Sequence, residues 1–263
     1  MKVYACQLDI AWEDKAENFR RVARLLEATP PERDSLVVLP EMFSSGFSMN
    51  VGKIHESTPS ESGRFVSGLA RRYAAFLVAG EVVIGPDGRG RNQSVIYSPE
   101  GREIARYSKM QPFSLGGESD HYTPGREIVT FDCGGFICAP FICYDLRFPE
   151  LFRMAALRGA QLFVVIANWP EKRVAHWITL LQARAIENLA YVVGVNRAGR
   201  DPNFSYPGRS LIVNPHGQIL ADAGEPERVV SAEVDPQMVL AWRKDFPALE
   251  DMRRFRLALQ SAT

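Results

Sequence analysis

The chain has 263 residues, 46% of them hydrophobic, with 31 Lys plus Arg against 31 Asp plus Glu, so its formal net charge is zero. This length and apolar share suit one α/β unit with a large core, and with no basic block or stripe the balanced charge argues against nucleic-acid binding. No apolar run approaches membrane-spanning length and the N-terminus reaches Asp9 too soon for a secretory leader, so a cytoplasmic protein with no membrane partner is expected.

Strand-like runs alternate with helical ones along the chain. Residues 2–8 (K-V-Y-A-C-Q-L) read as a strand. Residues 15–28 read as an amphipathic helix, with Phe19, Val22, Leu25 and Leu26 on one face and Pro30-Pro31 beyond its end. Residues 35–40 (S-L-V-V-L-P) are apolar throughout, as a strand covered on both faces requires. A second helix is expected over 62–75 and a strand over 76–83. P-D-G-R-G-R-N at 86–92 is a turn, and residues 92–109 read as a hairpin turning at 98–101.

The second half repeats the idiom. Residues 128–143 hold two apolar runs broken by Gly134-Gly135. A helix over 151–157, a buried strand over 161–170 and a long helix over 173–190 follow, then strands over 191–196, 210–220 and 228–235. Pro140 falls inside a strand-like run and cannot donate to a ladder, so that strand is expected to be short or bulged. A helix over 236–244 precedes a polar end. L-V-V-L-P-E and F-V-V-I-A-N echo each other, which suggests two similar halves packed as one domain spanning 1–263, with 241–263 as a C-terminal tail.

Three runs end on a reactive side chain: L-V-V-L-P-E at Glu41, I-A-R-Y-S-K at Lys109 and F-I-C at Cys143. Sites of open α/β sheets gather at the carboxyl ends of strands, where residues distant in sequence converge. Together the trio suits acyl transfer through a thioester. Glu41 takes the thiol proton and returns it to a leaving amine, Cys143 attacks, and Lys109 supplies positive charge for the thiolate and the oxyanion. Backbone N–H groups after Cys143 complete an oxyanion hole if a turn starts there. Taken singly, each residue has a plainer reading: Cys143 as buried filler, Glu41 as a cap, Lys109 as an exposed strand end. Cys6, Cys133, Cys138 and Cys143 all sit in apolar runs and read as reduced thiols. No motif pairs His55, His121, His176 or His216 with a cysteine.

L-P-E-M-F-S-S-G-F, Y-S-K-M and F-I-C-Y-D-L-R-F-P-E together resemble the carbon–nitrogen hydrolase (nitrilase) superfamily, in this order and at these strand ends. The resemblance runs from V-Y-A-C-Q-L-D to R-V-V-S-A-E-V-D. It implies a four-layer αββα sandwich assembled into homodimers or larger homo-oligomers. It also implies that Glu41 is the general base and acid, Lys109 the stabiliser of the tetrahedral intermediate, and Cys143 the nucleophile. Glu118, in G-G-E-S-D-H-Y, matches a second site glutamate that orients the lysine; its alternative is a solvated loop carboxylate.

L-P-E-M-F-S-S-G-F-S-M, N-W-P, H-W-x-x-L-L-x-A-R-A-I-E-N and W-R-K-D-F-P resemble the omega-amidase branch, which hydrolyses the terminal amide of 2-oxoglutaramate and 2-oxosuccinamate. Such a substrate carries a distal carboxylate, which calls for a cation. Arg147 is the candidate, or else it pairs with Asp145 or Glu150. Phe43, Tyr144 and Trp169 are expected to wall the pocket, with core packing as the alternative, and Asn168 and Trp169 to touch substrate at its floor. Arg184 and Glu187 suit the fold or a subunit interface. No nucleotide, dinucleotide or H-E-x-x-H motif is present and the cysteines do not form C-x-x-C, so no metal and no cofactor are expected, water being the only co-reactant. An N-carbamoyl amino acid amidohydrolase or a general aliphatic amidase would use the same trio. A non-catalytic thiol binding or redox protein is the alternative of another class.

Overall fold

The computed structural model describes residues 1–57 and 59–252. The first half runs β1 (Lys2–Gln7), α1 (Lys15–Ala28), β2 (Leu36–Val38), the single turn α2 (Val51–Ile54), α3 (Glu61–Tyr73), β3 (Phe76–Ile84), β4 (Gly90–Tyr97), β5 (Glu103–Ser108) and the short α4 (Glu118–His121). Local chemistry sets the helix ends. The Asp14 carboxylate accepts the Glu17 N–H to start α1, Ser60 accepts the Gly63 N–H to start α3, and α3 stops at Ala74 in the left-handed region. The second half runs β6 (Phe131–Cys133), β7 (Phe136–Ile142), α5 (Pro149–Leu157), β8 (Leu162–Ala167), α6 (Val174–Asn188), β9 (Tyr191–Asn196), β10 (Ala198–Arg200), β11 (Ser205–Pro207), β12 (Leu211–Val213), β13 (Ile219–Asp222), β14 (Arg228–Glu233) and α7 (Pro236–Asp245).

Two six-stranded sheets form, in the orders β14-β1-β2-β3-β4-β5 and β13-β12-β9-β8-β7-β6. In each, three parallel strands joined by helices are flanked by antiparallel strands. The halves therefore share one topology, with β1, β2 and β3 corresponding to β7, β8 and β9. Strand periodicity makes the layers. Along β1 and β2, Val3, Ala5, Leu36 and Val38 join the second sheet's residues, while Tyr4, Cys6 and Val37 turn toward Val22, Leu26, Val66 and Leu69 of α1 and α3. α5 and α6 cover the far face of the second sheet through Phe152, Ala155, Trp177 and Leu181. The result is the four-layer αββα sandwich, with β1 over β9 and β4 over β7 at its centre.

β7 is neither short nor bulged at Pro140, which pairs with Val164 in a continuous register. The neighbour on the other side, β6, reaches only as far as Cys138, so no ladder on that side asks Pro140 for an N–H. All four cysteines are free thiols. The stretch expected as a tail from 241 begins inside α7. There Trp242 packs against His216 and Phe246, and Leu249 is buried, while residues 253–263 of that stretch lie outside the described residues. Among the described residues no helix is long and apolar enough to cross a membrane.

Candidate active site

The carboxyl ends of β2, β5, β7 and β8 meet at one rim. Glu41 lies three residues past β2, Lys109 follows β5 directly, Cys143 follows β7 and Asn168 follows β8. Glu118 opens α4, and the Phe113 N–H donates to its Oε2 at 2.6 Å. All five are buried, Glu41 and Glu118 completely. Gly80 on β3 makes room for Glu41, since a Cβ there would stand 2.3 Å from Met42 N and 2.8 Å from Glu41 Cα.

Lys109 Nζ donates to Glu41 Oε1 at 3.0 Å and to Glu118 Oε2 at 2.8 Å. Burial works against its ammonium, but Glu118 and then Glu41 outweigh that and hold Lys109 well above its ordinary value, so it stays charged. A second set of donors fixes Glu41. Asn168 gives its backbone N–H to Oε2 at 2.8 Å and its side-chain amide to the Glu41 carbonyl at 2.8 Å. Glu41 and Lys109 are thus held in place by donors and acceptors of the protein itself.

Cys143 sits at φ +46°, in the left-handed region that a side chain rarely adopts, where β7 breaks into a 3-10 turn over Cys143–Arg147. Its Sγ lies 3.9 Å from the Asn168 carbonyl. Burial first, then Glu41, push the thiol well above its ordinary value, with Lys109 opposing. The resting group is therefore a neutral thiol. Asp145, two residues on, braces the turn. It accepts the Ile142 N–H at 2.9 Å, the Tyr107 hydroxyl at 2.8 Å and the Gln111 N–H at 2.9 Å, tying the turn that carries Cys143 to the segment that carries Lys109. Arg184 supports the same turn from α6, donating to the Leu146 carbonyl at 2.8 Å, and it also pairs with Glu187.

Cys143 opens into a narrow pocket, lined further by Phe47, Phe113, Tyr144, Arg147, Asn168, Trp169, Arg173, Phe204 and Tyr206. Of the residues expected to contact substrate, Tyr144, Arg147, Asn168 and Trp169 are in this lining. Phe43 is not. It is fully buried beneath the first sheet, 6.0 Å from Phe19 and 6.4 Å from Phe65 between ring centroids, and Phe47, four residues on, lines the pocket instead. Arg147 pairs with neither Asp145, whose contacts are those above, nor Glu150. Its guanidinium lies 4.8 Å from the Trp169 ring centroid and donates to His176 Nδ1 at 3.2 Å.

Sequence reasoning missed Arg173, Asn92 and His176. Arg173 had a signal, a cation four residues after Trp169, and it packs 5.3 Å from the Phe113 ring centroid. Asn92 looked like the start of a hairpin strand, yet its amide reaches both Glu41 and Glu118. Among the described residues neither Arg147 nor Arg173 forms an ion pair with a carboxylate, and no group of three or more His, Cys, Asp or Glu is placed to hold a metal. Chemically, the site offers a thiol, a carboxylate to take its proton, a fixed ammonium and a narrow aromatic pocket with two cations.

The family model described as carbon-nitrogen hydrolase matches residues 2–244. The chain is 38% identical to the omega-amidase YafV of Yersinia enterocolitica, covering 98% of each chain. It is 32% identical to the 2-oxoglutaramate amidase of Bacillus subtilis, covering 94% of this chain and 96% of that one. Among solved structures, a CN-hydrolase superfamily protein from Xanthomonas campestris with an arsenic adduct in its active site superposes with a TM-score of 0.89 at 32% identity, over 95% of this chain and 96% of that one. A member of branch 10 of the nitrilase superfamily from Saccharomyces cerevisiae gives 0.84 at 31% identity, over 94% of each.

Proposed function

The chain belongs to the carbon–nitrogen hydrolase family, and from that premise we propose that it hydrolyses the terminal carboxamide of a small dicarboxylic acid monoamide such as 2-oxoglutaramate, 2-oxosuccinamate or succinamate. Glu41 takes the Cys143 proton as Sγ attacks the amide carbon. Lys109 and the N–H groups of the turn after Cys143 stabilise the oxyanion. Glu41 then returns the proton to the departing nitrogen, ammonia leaves, and a thioester remains. Water activated by Glu41 cleaves the thioester to the acid. Glu118 orients Lys109 throughout.

One observation carries the choice of substrate: two guanidinium groups, Arg147 and Arg173, line a narrow pocket without a carboxylate partner among the described residues. A distal carboxylate is the ligand that satisfies them, through paired N–H···O contacts. Relatives named as omega-amidases and a 2-oxoglutaramate amidase support the same reading. In this proposal Tyr144, Asn168 and Trp169 contact the substrate, and the working unit is a cytoplasmic homodimer or larger assembly. The test is ammonia release from 2-oxoglutaramate and succinamate beside N-carbamoyl amino acids and neutral aliphatic amides. The monoamides are expected to give the highest kcat/KM. A higher value for the carbamoyl compounds would move the protein to the carbamoylase alternative.

A further inference from the structure

Asn92 touches three of the four residues assigned to catalysis, yet the reaction as written gives it no part. It lies on β4 and is 2% exposed. Its Nδ2 stands 2.7 Å from Glu41 Oε1 and 2.9 Å from Glu118 Oε1. Its backbone carbonyl accepts the N–H of Lys109 at 2.9 Å. The orientation of the amide is dictated, because turned over it would set Oδ1 against two carboxylates. Lys109 Nζ lies between the same two oxygens, at 3.0 and 3.1 Å. Glu41, Asn92, Glu118 and Lys109 thus close a ring of hydrogen bonds.

Counting acceptor sites on Glu41 shows what the ring does. Oε1 receives Lys109 and Asn92, which fills both of its lone pairs. Oε2 receives the Asn168 N–H at 2.8 Å and, more weakly, Asn168 Nδ2 at 3.2 Å. That last contact is the longest of the four and comes from a side chain lining the pocket, so Oε2 is the oxygen that can free a lone pair.

We infer that Asn92 is a positioning residue: with Lys109 it occupies Glu41 Oε1, directs the Cys143 proton to Oε2, and holds Glu41 and Glu118 in place on either side of Lys109. The inference rests on the amide-hydrolysis reading. In the step, the S–H bond breaks and its electron pair forms the bond to the carbonyl carbon, whose π pair moves to oxygen. The proton bonds to Oε2 as Asn168 Nδ2 gives way, and it leaves on the nitrogen when the C–N bond breaks. The other titratable groups in electrostatic contact with the ring are Cys143, Tyr122, whose hydroxyl donates to the Ser48 carbonyl, and Asp145, on which Lys109 acts.

The test compares wild type, Asn92→Ala and Asn92→Asp from pH 5 to 9. It uses two readouts, steady-state turnover of succinamate and the rate at which iodoacetamide alkylates Cys143, followed on the modified peptide. For Asn92→Ala, kcat is expected to fall about 10-fold or more with KM within about twofold, since Asn92 does not line the pocket. Carboxylates that lose a donor hold a proton more readily, so the acid limb of both profiles moves up by about one pH unit. Asn92→Asp keeps the shape but has a hydrogen to donate only when protonated, so its turnover is expected to recover as pH falls. Profiles that keep the wild-type pH dependence and are merely scaled down would overturn the inference. If the alanine variant does not fold, the aspartate variant decides alone: no recovery at low pH overturns it. Wild type that alkylates normally but releases no ammonia from any amide would sink the amidase reading, and the alkylation profiles would then decide on Asn92.

Discussion

Cys143 works from a left-handed backbone conformation that costs a non-glycine residue about 1–3 kcal/mol. The gain is position: the turn sets Sγ past the end of β7, beside the Asn168 carbonyl and where the charges of Glu41 and Lys109 act on it. Cys143→Ala keeps the same backbone with a smaller side chain, so ammonia release is expected to fall about 10⁴-fold or more with the thermal midpoint within a few degrees. Activity within tenfold of wild type would show that another residue attacks. Among the described residues Arg147 has no carboxylate partner, and it stacks on Trp169 at the pocket, where the proposed function has it bind the substrate's carboxylate. Arg147→Lys keeps the charge but loses the planar fork. KM for 2-oxoglutaramate is expected to rise about tenfold while KM for butyramide stays unchanged. An equal rise for both would make Arg147 a brace of its loop.

At the scale of elements, strands place these side chains and their neighbours hold them there. β3 yields space to the Glu41 segment through Gly80. In Gly80→Ala the new Cβ would press on backbone atoms, Met42 N and Glu41 Cα, which cannot rotate away. A loss of about 1–3 kcal/mol in urea unfolding is expected, with a lower kcat because Glu41 moves. Unchanged values for both would show that this segment shifts freely. The ends of β5 and β7 are tied by Asp145, whose carboxyl burial raises to about 7, against the backbone N–H of Ile142, Lys109 and Tyr107, which lower it. A folded value above the unfolded one, about 3.9, means the folded state binds the extra proton. The stabilisation is complete below about pH 4 and lost as pH rises through 7, at up to about 1.4 kcal/mol per pH unit. Between pH 5 and 8, wild type is expected to lose stability relative to Asp145→Asn in denaturant titrations. Parallel curves would mean that Asp145 stays ionised under its three donors.

For the whole molecule, the site exists only where the two similar halves meet. Glu41, Lys109, Asn92 and Glu118 come from the first half, Cys143 and Asn168 from the second. The Asn168–Glu41 contacts, 127 residues apart in sequence, join the corresponding strands β8 and β2 across the sandwich. On its outside, α5 and α6 pack together and leave Met154 and Ile186 exposed, at 41% and 53%. Apolar side chains on an outer helical face suit a second copy of the chain. Light scattering is expected to give at least twice the chain mass, and Ile186→Glu to reduce it. A monomer in wild type would overturn the assembly proposal.

From its sequence alone, this protein declared its alternating strands and helices, the bounds of α1, and three reactive residues at three strand ends. Those features are local. A period of two or 3.6 and a proline pair act within a few residues of each other, so they are written where they act. Tertiary structure decided the rest. It put Phe43 in the core and Phe47 in the pocket, although both lie in one short segment. It left Pro140 in a regular strand because β6 ends early, drew Arg147 away from its sequence neighbours Asp145 and Glu150 onto Trp169, and set the Asn92 amide between two carboxylates. Each outcome depends on which distant surface a side chain meets, and that is set only when the two sheets pack face to face.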